Sequence, residues 1–107
     1  MKRLHLKNGY HDALIRQVRY SGEEDIHLDV DLCVCCNICP GRATICLYGV
    51  RNFAKVQEYL EAARVKNAKH NYIDEIWIIT RATPRGYTFG LMTAGDLFVD
   101  AQTLHEI

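Results

Sequence analysis

Five cysteines are the residues of this chain most able to do chemistry. They lie within fourteen residues, at Cys33, Cys35, Cys36, Cys39 and Cys46. The count is odd and no apolar leader segment precedes the cluster, so a secreted disulfide framework is not indicated. We therefore expect a protein of the reducing cytoplasm, in which this cluster is a metal site, a redox site or a group of reduced thiols.

Two spacings within the cluster are typical of metal sites. Cys36-x-x-Cys39-Pro-Gly is similar to one zinc knuckle, and Cys33 and Cys46 would complete a four-thiolate tetrahedron of the kind that structural zinc prefers. Cys33-x-x-Cys36-x-x-Cys39 partly matches the ferredoxin cluster run, but here proline follows the third cysteine directly. All these ligands lie on one predicted hairpin, and a core this apolar needs no metal to fold. We therefore expect reduced thiols and no cofactor, with a zinc-stabilised module as the alternative.

Other catalytic patterns are missing from the sequence. It has no Gly-rich phosphate loop and no Gly-x-Ser-x-Gly elbow, and its single serine is Ser21. A phosphohydrolase that uses a His-Asp pair needs further histidines and aspartates on helices, and no two of the other histidines are spaced as ligands on one helix, so we interpret His11-Asp12 as a turn. A cysteine nucleophile stays open as a third hypothesis, but no cysteine is singled out as activated. We expect a protein that is not an enzyme.

An acidic surface is the remaining candidate for function. Its members lie in a polar turn and on the strand that follows it, and they are Glu23, Glu24, Asp25, Asp29 and Asp31. Asp29 and Asp31 alternate with apolar residues, so they should face water when the apolar set faces the core. These acidic residues could simply form the solvated face of the sheet. The functional interpretation is that they form a docking surface for a basic protein partner.

The elements that position these residues can be derived from periodicity. Ile26 to Leu32 alternates strictly between apolar and polar residues, which predicts a half-buried antiparallel strand. After Asn52, a potential N-cap, the period changes to that of a helix ending between residues 65 and 69, with one apolar face made of Phe53, Val56, Leu60 and Ala63. Strands are predicted at residues 2–6, 13–20, 26–32, 43–50, 71–80, 87–91 and 97–101.

These elements predict a single α+β domain spanning residues 1–107, with a mainly antiparallel sheet of six or seven short strands and one helix packed on it. In the first long strand we place Leu14, Val18 and Tyr20 on one face and Ile15, Gln17 and Arg19 on the other.

Charge and hydropathy exclude two classes of partner. Thirteen Lys and Arg balance thirteen Asp and Glu, so there is no cationic surplus for nucleic-acid binding. No apolar run approaches the roughly twenty residues that span a bilayer, so no membrane partner is expected.

The order of motifs resembles that of a known group of proteins. The matching segments run from about residue 10 to residue 101, and they are His11-Asp12-Ala13-Leu14-Ile15, Ile26 to Leu32, Ile45 to Phe53, Ile73-x-x-Ile76 and Tyr87-Thr88-Phe89-Gly90-Leu91 before a Gly-Asp turn. This order is similar to that of small bacterial α+β proteins of polymorphic and contact-dependent toxin systems, many of them immunity proteins. The cysteine run departs from that pattern. The resemblance implies a cytoplasmic protein that neutralises a cognate toxin domain by direct binding and has no catalytic residues.

Overall fold

The computed structural model describes residues 6–38 and 41–107, apart from the side chains of Cys36 and Ala82. The described residues form one α-helix, one 3₁₀ turn at Val34–Cys36 and seven strands. The helix α1 spans Phe53–Lys66. The strands are β1 (Ala13–Ser21), β2 (Asp25–Asp31), β3 (Arg42–Tyr48), β4 (Asp74–Thr83), β5 (Gly86–Leu91), β6 (Gly95–Asp100) and β7 (Thr103–Glu106).

All seven strands belong to one sheet in the order β6-β5-β4-β1-β2-β3-β7, and every neighbouring pair is antiparallel. Helix α1 packs on one face of this sheet, mainly against β4 and β6. The predicted α+β architecture with one helix on an antiparallel sheet is confirmed. None of the helices in the described part of the chain is both long enough and apolar enough to cross a membrane.

The alternating pattern of β2 produces the buried face that it predicts. Ile26, Leu28 and Val30 are buried, and the residues between them are partly exposed. In the β5–β6 hairpin the buried large side chains are Tyr87, Phe89, Leu91, Leu97 and Val99, and Gly86 and Gly90 are buried as well. The four apolar residues predicted on one face of α1 are all buried against this core. The helix and the sheet both turn apolar side chains toward the space between them. Their packing removes this apolar surface from water, which stabilises the fold.

The predicted faces of β1 are partly wrong. Ala13 and Ile15 are buried in the core, whereas Leu14 is only partly buried. The register against β2 shifts between Ile15 and Gln17, so Arg16 is an extra residue on β1. Such a bulge reverses the alternation beyond it, and it returns Val18 to the core side, as predicted. A strict period of two cannot anticipate this reversal.

The start of α1 is placed as predicted, but Asn52 does not cap it with its side chain. Instead, the Asn52 amide donates to the Phe98 carbonyl at 2.9 Å, and its oxygen accepts from the Asp100 amide at 3.0 Å. Asn52 therefore fastens the helix entry to the outer strand β6. The helix ends at Lys66, inside the predicted interval.

The seventh strand differs from the one expected. The predicted strand at residues 2–6 lies outside the described residues except for Leu6, which is not in a strand. Strand β7 is instead formed by Thr103–Glu106 and pairs with β3 at the edge of the sheet. Glu106 accepts hydrogen bonds from the backbone amides of Lys7 and Asn8 and from the Tyr10 hydroxyl, at 2.6, 3.1 and 2.7 Å. These bonds tie the segment before β1 to the last strand, and burial together with the Glu106 contact raises the pKa of Tyr10.

Candidate functional site

The face of the sheet opposite α1, here called the open face, is not covered by any other described element. Its central row crosses four strands, because Arg19 pairs with His27, His27 with Cys46, and Cys46 with His105. In this row Arg19, His27 and His105 reach the surface and Cys46 is buried between them, and the five acidic residues of the sequence analysis lie on or beside the open face.

Asp29 faces outward from β2, as predicted, but it is not a solitary charge. Its carboxylate accepts two hydrogen bonds from the Arg19 guanidinium, at 2.8 and 3.0 Å, and a third from the Thr44 hydroxyl at 2.8 Å. The Arg19 hydrogen bonds hold the pKa of Asp29 below its ordinary value, against the opposing effect of partial burial. Two-pronged pairing of this kind fixes the geometry of both side chains.

Asp31 is shared between two arginines from its flanking strands. Arg16 of the β1 bulge lies 3.4 Å from one carboxylate oxygen, and Arg42 of β3 lies 3.4 Å from the other. Asp29 and Asp31 are therefore matched by three arginines. This end of the open face is not acidic, which the sequence pattern alone did not indicate.

The acidic character is instead concentrated at the β1–β2 turn. Glu23 and Glu24 are exposed there, and Asp25 is partly buried. Asp25 accepts a hydrogen bond from the Gly49 amide at 3.3 Å. Among the described residues, neither Glu23 nor Glu24 has an ion-pair partner. The structure thus divides the predicted acidic surface into a neutralised strand and an acidic turn.

An aromatic patch, defined here as Trp77, Ile78 and Phe98, lies on the β4–β6 half of the open face. These side chains are 47%, 41% and 43% exposed. A Cβ added to Gly90 would lie 2.4 Å from the Trp77 indole nitrogen, and one added to Gly86 would lie 2.4 Å from the Phe98 ring. Both rings therefore lie directly on glycine backbone, an arrangement in which an aromatic ring covers a strand glycine. Sequence reasoning missed this patch, although exposed aromatics opposite strand glycines were its available signal.

Of the four cysteines predicted to hold zinc, the two whose side chains are described, Cys33 and Cys46, lie in different parts of the hairpin. Cys46 is fully buried within β3, between His27 and His105 on the adjacent strands. The neighbouring Cys46 thiol raises the pKa of Tyr48. Four residue steps along β3, about 14 Å at the usual rise, lead from Arg42 at the cysteine-loop end of the hairpin to Cys46. Of the other three, Cys33 lies in that loop, the Cys36 side chain is not described, and Cys39 lies outside the described residues.

A different set of potential ligands does converge beside this loop. One oxygen of Asp12 and the sulfurs of Cys33 and Cys35 all lie within 4.8 Å of one another. The two sulfurs are 2.8 Å apart. Asp12 was interpreted only as a turn residue, and Cys35 was left out of both metal spacings, because neither fits a Cys-x-x-Cys pattern.

Comparisons with known proteins add nothing to the geometry described above. No protein-family model, curated protein or solved structure matches this chain. Arguments about function therefore rest on the open face, with its aromatic patch and acidic turn, and on the cysteine loop.

Proposed function

We propose that this chain is a protein-binding domain of the immunity type, which acts in the cytoplasm by binding a cognate bacterial toxin domain directly. The observation that carries the proposal is the aromatic patch on a sheet face with no covering layer. An α+β sheet normally buries apolar side chains against its helix, and here Trp77, Ile78 and Phe98 point the other way. Trp and Phe side chains exposed on one sheet face are typical of interaction sites.

The aromatic patch is organised before any partner arrives. Gly90 and Gly86 provide flat backbone on which the Trp77 and Phe98 rings rest. A ring held in this way loses little further freedom on binding, and association then costs less conformational entropy. Trp is also among the side chains that contribute most to binding energy when a partner buries them.

The partner we infer has a basic surface, because the β1–β2 turn exposes two carboxylates that have no ion-pair partner among the described residues. Glu23 and Glu24 are exposed there, whereas the carboxylates of Asp29 and Asp31 already face arginines. Charge complementarity at such a turn accelerates encounter with a basic partner, and its effect weakens as salt screens it. Neutralisation of the toxin would then require only that the bound domain cover its active surface.

The test is binding to, and protection against, a toxin domain encoded beside this chain. We expect Trp77→Ala to weaken the affinity at least about tenfold, since a central aromatic residue contributes more than about 1.4 kcal/mol. Val65→Ala is the matched control, because Val65 is an exposed apolar residue on the opposite, helical side. Equal losses for both variants, or wild-type protein that neither binds nor protects, would refute the proposal.

A second pair of variants tests the charge of the partner. Glu23→Lys combined with Glu24→Lys should slow association and reduce its salt dependence, with little change in dissociation. Glu58→Lys, at an exposed position of α1, is the control for adding a positive charge elsewhere. Unchanged association rates across a salt series would show that the partner surface is not basic.

A further inference from the structure

The cysteine loop is held against the turn before β1 by one asparagine. The Asn37 side-chain oxygen accepts from the Gly9 amide at 3.0 Å, and its amide donates to the carbonyls of Gly9 and Cys33, at 3.1 and 2.9 Å. The loop is closed at its base by a hydrogen bond from the Leu32 amide to the Gly41 carbonyl at 2.7 Å. Two segments more than twenty residues apart in sequence are therefore fixed side by side.

The effect of this clamp is to place Asp12 beside Cys33 and Cys35. One oxygen and two sulfurs lie within 4.8 Å of one another. A tetrahedral zinc ion with Zn–S near 2.3 Å and Zn–O near 2.1 Å holds its ligand atoms about 3.5–3.8 Å apart. The sulfurs, now 2.8 Å apart, need only separate by about an ångström to meet that spacing, and Cys35 is exposed.

Asp12 is held in an unusual way for a turn residue. Its φ of 65° lies in the left-handed region, where among the described residues it is the only non-glycine. His11 Nδ1 lies 3.1 Å from one Asp12 oxygen, close enough to orient the carboxylate. A ligating carboxylate that is oriented by a neighbouring hydrogen bond is the usual arrangement at metal sites.

We propose that Asp12, Cys33 and Cys35 form a binding site for a zinc-class divalent ion, independent of the protein-binding function above. Zinc is coordinated by thiolates and carboxylates, whereas magnesium and calcium are coordinated by oxygen atoms and not by sulfur. Three protein ligands leave the fourth tetrahedral position to water or another small ligand. Because Asp12 and Cys35 are exposed, the ion and this fourth position are reached from solvent. Binding releases the protons of the two thiols to solvent.

The experiment uses the full chain, stripped with a chelator under reducing conditions, and then titrated with Zn²⁺ against a chromogenic chelator and with Co²⁺ by absorption. The wild-type chain should bind one equivalent and, with Co²⁺, give a thiolate-to-metal charge-transfer band. Cys33→Ser and Cys35→Ser should each weaken Zn²⁺ affinity at least about tenfold and reduce that band. Asp12→Asn should weaken affinity but leave the thiolate band.

The matched control is Cys46→Ser, which removes a thiol from β3 rather than from the loop. It should leave both the stoichiometry and the Co²⁺ spectrum unchanged. Asp12→Gly is a second ligand variant that suits the left-handed backbone, so its loss of metal cannot be attributed to misfolding. The proposal is overturned if wild-type protein binds no ion, if Cys46→Ser loses the ion, or if the Cys33, Cys35 and Asp12 variants bind as wild type does.

Discussion

Asp74 is the residue whose removal should reveal most about how the aromatic half of the sheet is held. Among the described residues it is the only charged or polar side chain that is fully buried. Its Oδ1 accepts from the amides of Glu75 and Thr93, at 2.8 and 2.9 Å, and its Oδ2 accepts from the Ala94 amide at 2.9 Å. The carboxylate therefore joins the start of β4 to the turn between β5 and β6.

The magnitude follows from the number of bonds that each substitution breaks. Asp74→Ala leaves three backbone donors without their acceptor, and breaking a buried charged network of this kind costs about 3–5 kcal/mol. Asp74→Asn can keep its oxygen at the Oδ1 position and preserve two bonds. Only the Ala94 amide then faces another donor, so the cost should be about 1–3 kcal/mol.

The assay is urea unfolding followed by circular dichroism, with Asp96→Ala on the exposed part of β6 as the control. With an m-value of about 1.5 kcal/mol/M, Asp74→Ala should lower the midpoint by roughly 2–3 M, and the control should stay within about 0.5 kcal/mol of wild type. An alanine variant as stable as the control would refute the reasoning. So would an asparagine variant as damaged as the alanine one, because the charge rather than the bonds would then be decisive.

Three further predictions follow from single contacts. The Arg19 hydrogen bonds lower the pKa of Asp29, so the stability from this carboxylate is complete above the unfolded-state pKa of about 3.9 and is lost as pH falls through the lower folded-state pKa. Asp29→Asn should therefore lose less stability than wild type over that acid window in thermal unfolding. Glu106→Ala should raise amide exchange at Lys7, whose partner it removes, without changing exchange in β2. Gly90→Ala should push the Trp77 indole off the sheet, shift its fluorescence and cost about 1–3 kcal/mol.

Sequence reasoning predicted best where one periodicity continues without interruption. The alternation from Ile26 to Leu32 fixes both the strand and its buried face, because a slip of one residue would put the carboxylates of Asp29 and Asp31 in the core. Helix α1 was equally predictable, since its apolar residues recur at three and four positions. In both elements the same residues decide the local structure and the packing.

The elements that were missed depend on partners distant in sequence. Thr103–Glu106 is a strand only because β3 offers an unpaired edge, and Glu106 then gains the Tyr10 hydroxyl and two amides from the other end of the chain. Arg16 is the extra residue of a bulge that only the pairing of β1 with β2 defines. The bulge places the Arg16 guanidinium near Asp31. The acidity of β2 was overestimated for the same reason, because its neutralising arginines belong to the adjacent strands.

The cysteine loop shows why spacing alone selected a set of ligands different from the one that the described residues bring together. Spacing rules consider only separations along the chain, and they favoured Cys46 because it closes a set of four. Strand geometry carries Cys46 away from the loop and buries it, whereas the Asn37 clamp introduces Asp12 from a segment with no cysteine at all. The Cys33-x-Cys35 pair places two sulfurs close together without a zinc knuckle. The third potential ligand, Asp12, comes from the segment just before β1. The metal proposal therefore depends on a contact that the sequence does not encode locally, and Asp12→Asn is the variant that separates it from any site made of cysteines alone.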